Sequence, residues 1–395
     1  MAVYTSLAHR IAAHTSALRN ARLLRTLRSP IGIDLCSNDY LTLARHPLVR
    51  ERMIEAVRRE GCGSTGSRLL CGERDSFARL ERTFAAFKAT ECSLYFSSGY
   101  LANIAVLTTF PEAGDVIFSD SLNHASLIDG IRLSAAERIV FPHADVVALT
   151  RLLDDHRGDG QAFVITESLF SMDGDLAPLA EYAALCRSRE AALIVDEAHA
   201  VGVCGARGSG LIEAAGIDAD VFVSVNPAGK ALGASGAFVA GPSWAIDYLI
   251  QRARSFIFST APPPAVAAAL EASLSIVTGE PERRETLRRL AAHLRTRLIE
   301  AGLPVPNGTS HIIPVLVGDN ERAADVAQSL QTQGFDVRAI RPPTISCALK
   351  RMRSARLNVG GFPTSCSRQP KASSVEGFLS WLIKSLVCLK TSPSG

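Results

Sequence analysis

Between about residues 45 and 275, short apolar or β-branched runs alternate with segments of helical apolar spacing. This alternation restricts the chain to an α/β architecture. The strand candidates are residues 92–96, 116–119, 138–141, 163–167, 192–196, 221–225 and 237–240. Helical spacing covers 46–60, 75–89, 99–109, 147–156 and 177–189. Nearly continuous apolar strands predict a mostly parallel sheet covered on both faces. Polar and glycine residues collect just after these strands, where open α/β sheets bind their ligands.

An A-P-P-P break at 261–264 precedes a long helical stretch, 265–302. A smaller α+β unit is expected beyond it, with a strand at 311–317 and a helix at 321–334. From about residue 354 the chain is rich in Ser, Pro and Gly until a helix-like run at 374–390. The expected organisation is an N-terminal arm (1–45), a large α/β domain (46–275) and a small C-terminal α+β domain (276–395). Arg10, Arg19, Arg22, Arg25 and Arg28 all precede the first acidic residue, Asp34. Such a start suits either a transit peptide or an amphipathic helix with a solvated or partner-covering basic face, and the second is the simpler reading.

A formal net charge of +3 argues against a nucleic-acid or membrane-surface partner. Nine cysteines without a CxxC pair read as reduced thiols of a cytoplasmic protein, with no zinc site or disulfide framework. No apolar run approaches the about 18 residues of a membrane helix.

The residues that carry chemistry follow the strands. In I-V-D-E-A-H (194–199), an apolar strand delivers Asp196 and His199 to its C-terminal end. A carboxylate there is costly to bury without a cation, although a salt bridge or helix cap would also explain it. The letters D-E-A-H suggest a helicase, but a GxxxxGK[ST] phosphate loop is absent. In S-S-G-Y-L-A-N (97–103), a strand runs into a helix start, whose free N–H groups form an anion site. His124 follows another strand-like run, and Glu167, Ser171, Asp173 and Asp175 share a loop after a third. Asp-Gly-Asp also reads as turn chemistry alone. A glycosidase would need a set carboxylate spacing and a sugar platform that few aromatics could supply. Lys230 stands among small residues in N-P-A-G-K-A-L-G (226–233). An anion-binding helix start, a strand-end carboxylate, an imidazole and this lysine are the parts of a pyridoxal phosphate site. The lysine would form the Schiff base, and the carboxylate would keep the pyridine nitrogen protonated.

Nine segments in order, N-D-Y-L (38–41), G-S-T-G-S-R-L (63–69), S-S-G-Y-L-A-N (97–103), N-H-A-S (123–126), S-M-D-G-D (171–175), D-E-A-H (196–199), G-K-A-L-G (229–233), I-F-S-T (257–260) and A-I-R-P-P-T (339–344), resemble the α-oxoamine synthase family. The resemblance spans about residues 30–350. It implies a fold-type I, aspartate aminotransferase-like transferase that uses pyridoxal 5'-phosphate. By the same resemblance Lys230 forms the Schiff base and moves the Cα proton, Asp196 pairs with the pyridine nitrogen, and His199 reaches the phenolic oxygen. His124 stacks on the ring, Ser171 lies beside it, and Gly99 and Tyr100 donate N–H groups to the phosphate. Asn38 lies near substrate, and Arg341 takes the amino acid carboxylate. Thr260 reaches the phosphate of the other subunit in a homodimer with shared sites.

The segment A-I-R-P-P-T is most similar to the family member that condenses L-alanine with pimeloyl-CoA, or its carrier-protein thioester, in biotin biosynthesis. Other readings are a different amino acid and acyl-CoA, as in relatives forming 2-amino-3-oxobutyrate or sphinganine precursors, or a weakened paralogue acting as a partner subunit. Three departures from the family stand out. Pro227 and Ala228 replace a hydroxyl residue and its neighbour before the lysine, which weakens phosphate binding unless Asn226 substitutes. Phe77 replaces a histidine. The chain beyond Arg341 loses the family pattern, so Arg351, Arg353 and Arg356 have no assigned role.

Overall fold

The structure is a computed structural model describing residues 4–156 and 158–340. Arg341 and the divergent tail lie outside the described residues. Seven strands form one sheet: β1 (Cys92–Phe96), β2 (Val116–Asp120), β3 (Glu137–Phe141), β4 (Ala162–Glu167), β5 (Ala192–Asp196), β6 (Val221–Pro227) and β7 (Ala237–Gly241). Their order is β1-β7-β6-β5-β4-β2-β3, and only β7 runs against its neighbours. The expected mostly parallel sheet is therefore present, and the six co-directional strands all end at one edge.

Alternation along the strands explains why both faces are covered. Phe96, Ile117, Ile165, Ile194 and Val225 turn to one face and pack on helices Gly99–Thr109, Ala125–Leu133 and Ser243–Arg252. On the opposite face, Val116, Phe118, Val164 and Val195 pack on helices Val146–Asp155 and Leu179–Ser188. Tyr95 and Phe238 continue that face under helices Asp75–Lys88 and Pro264–Gly279. Phe77 belongs to this core: fully buried, it lies against the Tyr95 ring and under the Arg68 guanidinium.

By contact the chain divides into two compact units. The larger comprises residues 38–292 and 308–312; the described part of the smaller comprises 4–37, 293–307 and 313–340. In the smaller unit, Ile33–Asp34 pairs in parallel with Phe335–Asp336, and Leu298, Leu330 and Phe335 form its core. The first part of the Arg-rich segment forms the helix Thr5–Asn20, which has no buried residue, and Arg22, Arg25 and Arg28 follow it. The helical stretch expected at 265–302 is two helices, Pro264–Gly279 and Glu282–Glu300, because Pro281 interrupts it. Residues 311–317, expected as a strand, form no ladder among the described residues. The Leu316 N–H bonds the Pro304 carbonyl at 3.1 Å.

One buried ion pair ties the large unit together behind the β5 end. Lys88, the last residue of its helix, donates to Glu197 Oε2 at 2.5 Å and to the Ser209 carbonyl at 2.7 Å. Glu197 Oε1 accepts the N–H groups of Leu211 and Ile212. Gly210 makes room for this: its φ is +134°, and a Cβ there would lie 1.9 Å from Glu197 Oε2. Both charged side chains are almost wholly buried, so removing one strands the other. Lys88→Met should lower the unfolding free energy in urea by about 3–5 kcal/mol. A loss under about 1 kcal/mol would show that the pair is not buried in solution.

Candidate active site

The shared edge of the sheet concentrates polar groups at the strand ends. Asp196 closes β5, Glu167 stands beside it in register at the end of β4, and His124 follows β2. Lys230 lies in the turn between β6 and β7. That turn is closed by Ala228 N–H to the Gly236 carbonyl at 2.9 Å and Gly233 N–H to the Lys230 carbonyl at 2.8 Å. Four sequence candidates thus converge because of topology: the residues from 124 to 230 come from strands that are neighbours in space.

Lys230 Nζ is 3.0 Å from His199 Nε2. Burial lowers the lysine pKa, and the nearby carboxyl groups of Asp196 and Glu167 oppose that shift. Burial, followed by the Lys230 charge, holds His199 far below its ordinary pKa, so the ring is neutral. On its other side His199 Nδ1 is 2.6 Å from Tyr40 Oη, and Tyr40 donates to Asn38 Oδ1 at 3.1 Å. The N-D-Y-L segment can present Tyr40 because Asp39 caps the following turn, accepting the N–H groups of Leu43 and Ala44.

A second network holds Asp196. Its Oδ1 accepts the Ala198 N–H at 2.8 Å and its Oδ2 accepts Asn103 Nδ2 at 2.7 Å. Asn103 also donates to Ser126 Oγ, which lies 2.7 Å from His124 Nδ1. The carboxylate and the imidazole are therefore positioned by one chain of hydrogen bonds. Glu167, buried beside Asp196, has its pKa pushed well up, first by burial and then by the Asp196 charge. Sequence reasoning singled out neither Tyr40, Asn103 nor Ser126. A usable signal for Asn103 was its position four residues after Gly99, one helical turn below the helix start.

At that helix start, Ser98 Oγ accepts the Leu101 N–H, and the amides of Gly99 and Tyr100 have no partner among the described residues. The Pro227 ring abuts this point: a Cβ on Gly99 would lie 2.6 Å from Pro227 Cγ. Asn226 does not replace the missing hydroxyl. It is fully buried, and its amide nitrogen donates to the Ser224 carbonyl and hydroxyl. Tyr100 is exposed at 44%, and its hydroxyl donates to Asp129.

The Ser171 loop is fixed from outside the strand ends. His143 Nδ1 bonds Asp120 at 2.9 Å and Nε2 bonds Asp175 at 2.5 Å, while Ser310 Oγ donates to the Gly174 carbonyl at 2.5 Å. Ser171 itself is half-buried. Thr260 is exposed, and among the described residues no hydrogen bond joins it to the Lys230 cluster. Its segment is anchored by Ala261 N–H to the Gly66 carbonyl and by Arg68 over the Phe256 ring. Arg341 lies outside the described residues.

These residues fit pyridoxal 5'-phosphate. The site offers an amine with lowered proton affinity, unclaimed helix-start amides for a phosphate, and a fixed buried carboxylate for a ring nitrogen. The fit is weakest at Pro227, which offers no donor.

Known proteins resemble this chain over most of its length. The family model described as "Aminotransferase class I and II" matches residues 30–366. The 8-amino-7-oxononanoate synthase of Geobacter sulfurreducens is 45% identical over 359 residues, covering 87% of this chain and 92% of the relative. That of Anaeromyxobacter dehalogenans is 46% identical over 351 residues, covering 89% and 85%. Among solved structures, serine palmitoyltransferase of Sphingomonas wittichii superposes with a TM-score of 0.82 at 27% identity, covering all of both chains. The 8-amino-7-oxononanoate synthase of Francisella tularensis gives 0.69 at 28%, covering 82% of this chain and 98% of that one.

The His143 clamp predicts a pH dependence. Burial alone would lower its pKa, but the hydrogen bonds and charges of Asp120 and Asp175 outweigh it and carry the pKa up to about 9. A folded pKa above the unfolded value, about 6.5, stabilises fully below pH 6.5 and is lost as pH rises through 9. The urea midpoint should therefore fall between pH 7 and 10, and His143→Gln should flatten that slope. An unchanged slope in the variant would assign it to other groups.

Proposed function

The chain belongs to the aminotransferase class I and II family and, through relatives 45–46% identical to it, to the α-oxoamine synthases; on that premise we propose that it makes 8-amino-7-oxononanoate from L-alanine and a pimeloyl thioester. The observation that carries the reading is Lys230, an amine of lowered pKa held by neutral His199 at the strand edge that also bears Asp196. Bound there, pyridoxal 5'-phosphate supplies the electron sink that lets Cα of the amino acid lose first a proton and later a carboxyl group.

The protein's part is orientation and proton transfer. Lys230 removes the alanine Cα proton. Cα then bonds to the thioester carbonyl carbon, and the C–S bond breaks with release of the thiol. The original carboxylate departs as carbon dioxide, and Lys230 returns a proton to Cα. A lysine of lowered pKa suits both directions of this transfer, because its neutral form is accessible near neutral pH. Asp196 would hold the ring nitrogen of the bound cofactor and His199 its phenolic oxygen, with His124 and Ser171 serving the ring. Gly99 and Tyr100 would hold its phosphate, and Asn38 and Arg341 would receive the amino acid. A coenzyme A thioester and a carrier-protein thioester present the same reacting carbon.

Thr260 acts on the site of a second copy, in a homodimer. Its exposure supports this, as does Phe258 two residues earlier, a large apolar side chain left 71% exposed. No helix among the described residues is long and apolar enough to cross a membrane, in keeping with an enzyme working in the cytoplasm as a step of biotin synthesis. The superposition on serine palmitoyltransferase, with the higher TM-score, supports a second reading in which serine replaces alanine.

Three measurements test the proposal. Protein incubated with pyridoxal phosphate should develop a visible absorbance band that Lys230→Ala abolishes; no band in the unsubstituted protein would overturn the proposal. L-Alanine should perturb that band where serine and glycine do not, and the reverse selectivity would favour the second reading. Sedimentation at micromolar concentration should give a dimer, and a strict monomer would remove the role of Thr260.

A further inference from the structure

Three hydrogen bonds in a row join Asn38, Tyr40, His199 and Lys230, and their donors and acceptors must agree at every link. Tyr40 Oη lies 3.1 Å from Asn38 Oδ1 and 2.6 Å from His199 Nδ1, and His199 Nε2 lies 3.0 Å from Lys230 Nζ. A neutral imidazole has one N–H and one lone pair, a phenol one O–H, and an ammonium group three donors and no acceptor. Beside cationic Lys230, His199 Nε2 must therefore be the acceptor, which puts the ring proton on Nδ1. That N–H then donates to Tyr40 Oη, and the Tyr40 hydroxyl proton goes to Asn38. Beside neutral Lys230, Nε2–H can donate to the amine lone pair. Nδ1 is then bare and takes the Tyr40 proton, and the bond to Asn38 is given up.

We infer that Tyr40 is a positioning residue that sets the tautomer of His199, and through it the charge on Lys230, by directing its single hydroxyl proton to Asn38 or to His199. Two features make the hydroxyl a dependable relay. The Tyr40 ring is fixed edge-on to His311, with centroids 4.1 Å apart, and burial raises its pKa so that the proton stays on oxygen. Asn38 is exposed, so a ligand that competes for its amide would be felt at Lys230, three hydrogen bonds away. The other groups acting on this chain are Asp196 and Glu167 toward Lys230, and His311 and His124 toward His199.

The role rests on Lys230 being the reacting amine, but its test needs neither cofactor nor substrate. In the full-length chain without pyridoxal phosphate, Lys230 is labelled by acetic anhydride between pH 5 and 11 and quantified by peptide mass spectrometry. The midpoint of labelling reports its proton affinity. Tyr40→Phe removes the acceptor for Nδ1–H, and should lower the midpoint by about 0.5–1 pH unit, a three- to tenfold loss. Asn38→Ala frees the Tyr40 proton for Nδ1 and should lower it as well. Once Tyr40 is Phe, Asn38→Ala should have no further effect. An unmoved midpoint in Tyr40→Phe overturns the inference, and so do shifts that simply add in the double variant. Should Tyr40→Phe not fold, the exposed Asn38→Ala decides alone, and an unchanged midpoint there is the overturning result. A missing cofactor band alongside coupled midpoints would sink the proposed reaction and leave this relay standing.

Discussion

Lys230 is half-buried beside two carboxyl groups, yet its hydrogen bond goes to a neutral imidazole. This arrangement governs the site. A direct ion pair with Asp196 would satisfy both charges and hold the amine in its protonated form. Instead Asp196 is satisfied by Asn103 and a backbone N–H, so its hydrogen bonds do not consume the lysine. Burial is then free to lower the proton affinity of the amine. The separation depends on backbone placement: Asp196 is set by the parallel ladder of β5, whereas Lys230 hangs in a turn outside the ladder.

Rigid support has to come from elsewhere, and it comes from residues behind the strand ends. Glu197, next to Asp196, is locked by Lys88 and by two helix-start amides, so the turn carrying His199 has little freedom. His143 does the same for the Ser171 loop by bridging Asp120 and Asp175. Both clamps join chain segments that are distant in sequence. They act by fixing two loops that bear the candidate site residues.

Much of this was legible in the sequence because β-branched runs mark strands directly. The seven strand candidates match the observed strands to within two residues at each end. Asp196, His199, His124 and Lys230 were also readable, since each follows such a run. Partnerships were not. Asn103 meets Asp196 across 93 residues and Tyr40 meets His199 across 159, and only the tertiary fold brings them together. The antiparallel insertion of β7 between β1 and β6 was likewise invisible, because strand direction leaves no mark on local composition. The break at Pro281 was a visible signal outweighed by the apolar spacing on either side of it.

Pro227 was the feature of the sequence most at odds with the family, and its position explains how it is tolerated. In the antiparallel pairing of β6 with β7, Pro227 faces Ala237, while the Ala228 N–H bonds Gly236. Alternation along an antiparallel pair directs the Pro227 nitrogen away from β7. On its other side the ladder with β5 has already ended, at Asp196 and Val225. A residue there has no ladder partner to lose, so proline costs the sheet nothing. What it removes is a donor beside Gly99, at the anion-binding helix start. Asn226 points into the buried interior and cannot restore that donor. The substitution therefore spares the sheet, and under the proposed function its effect falls on the phosphate, which the helix-start amides would hold without a hydroxyl from this turn.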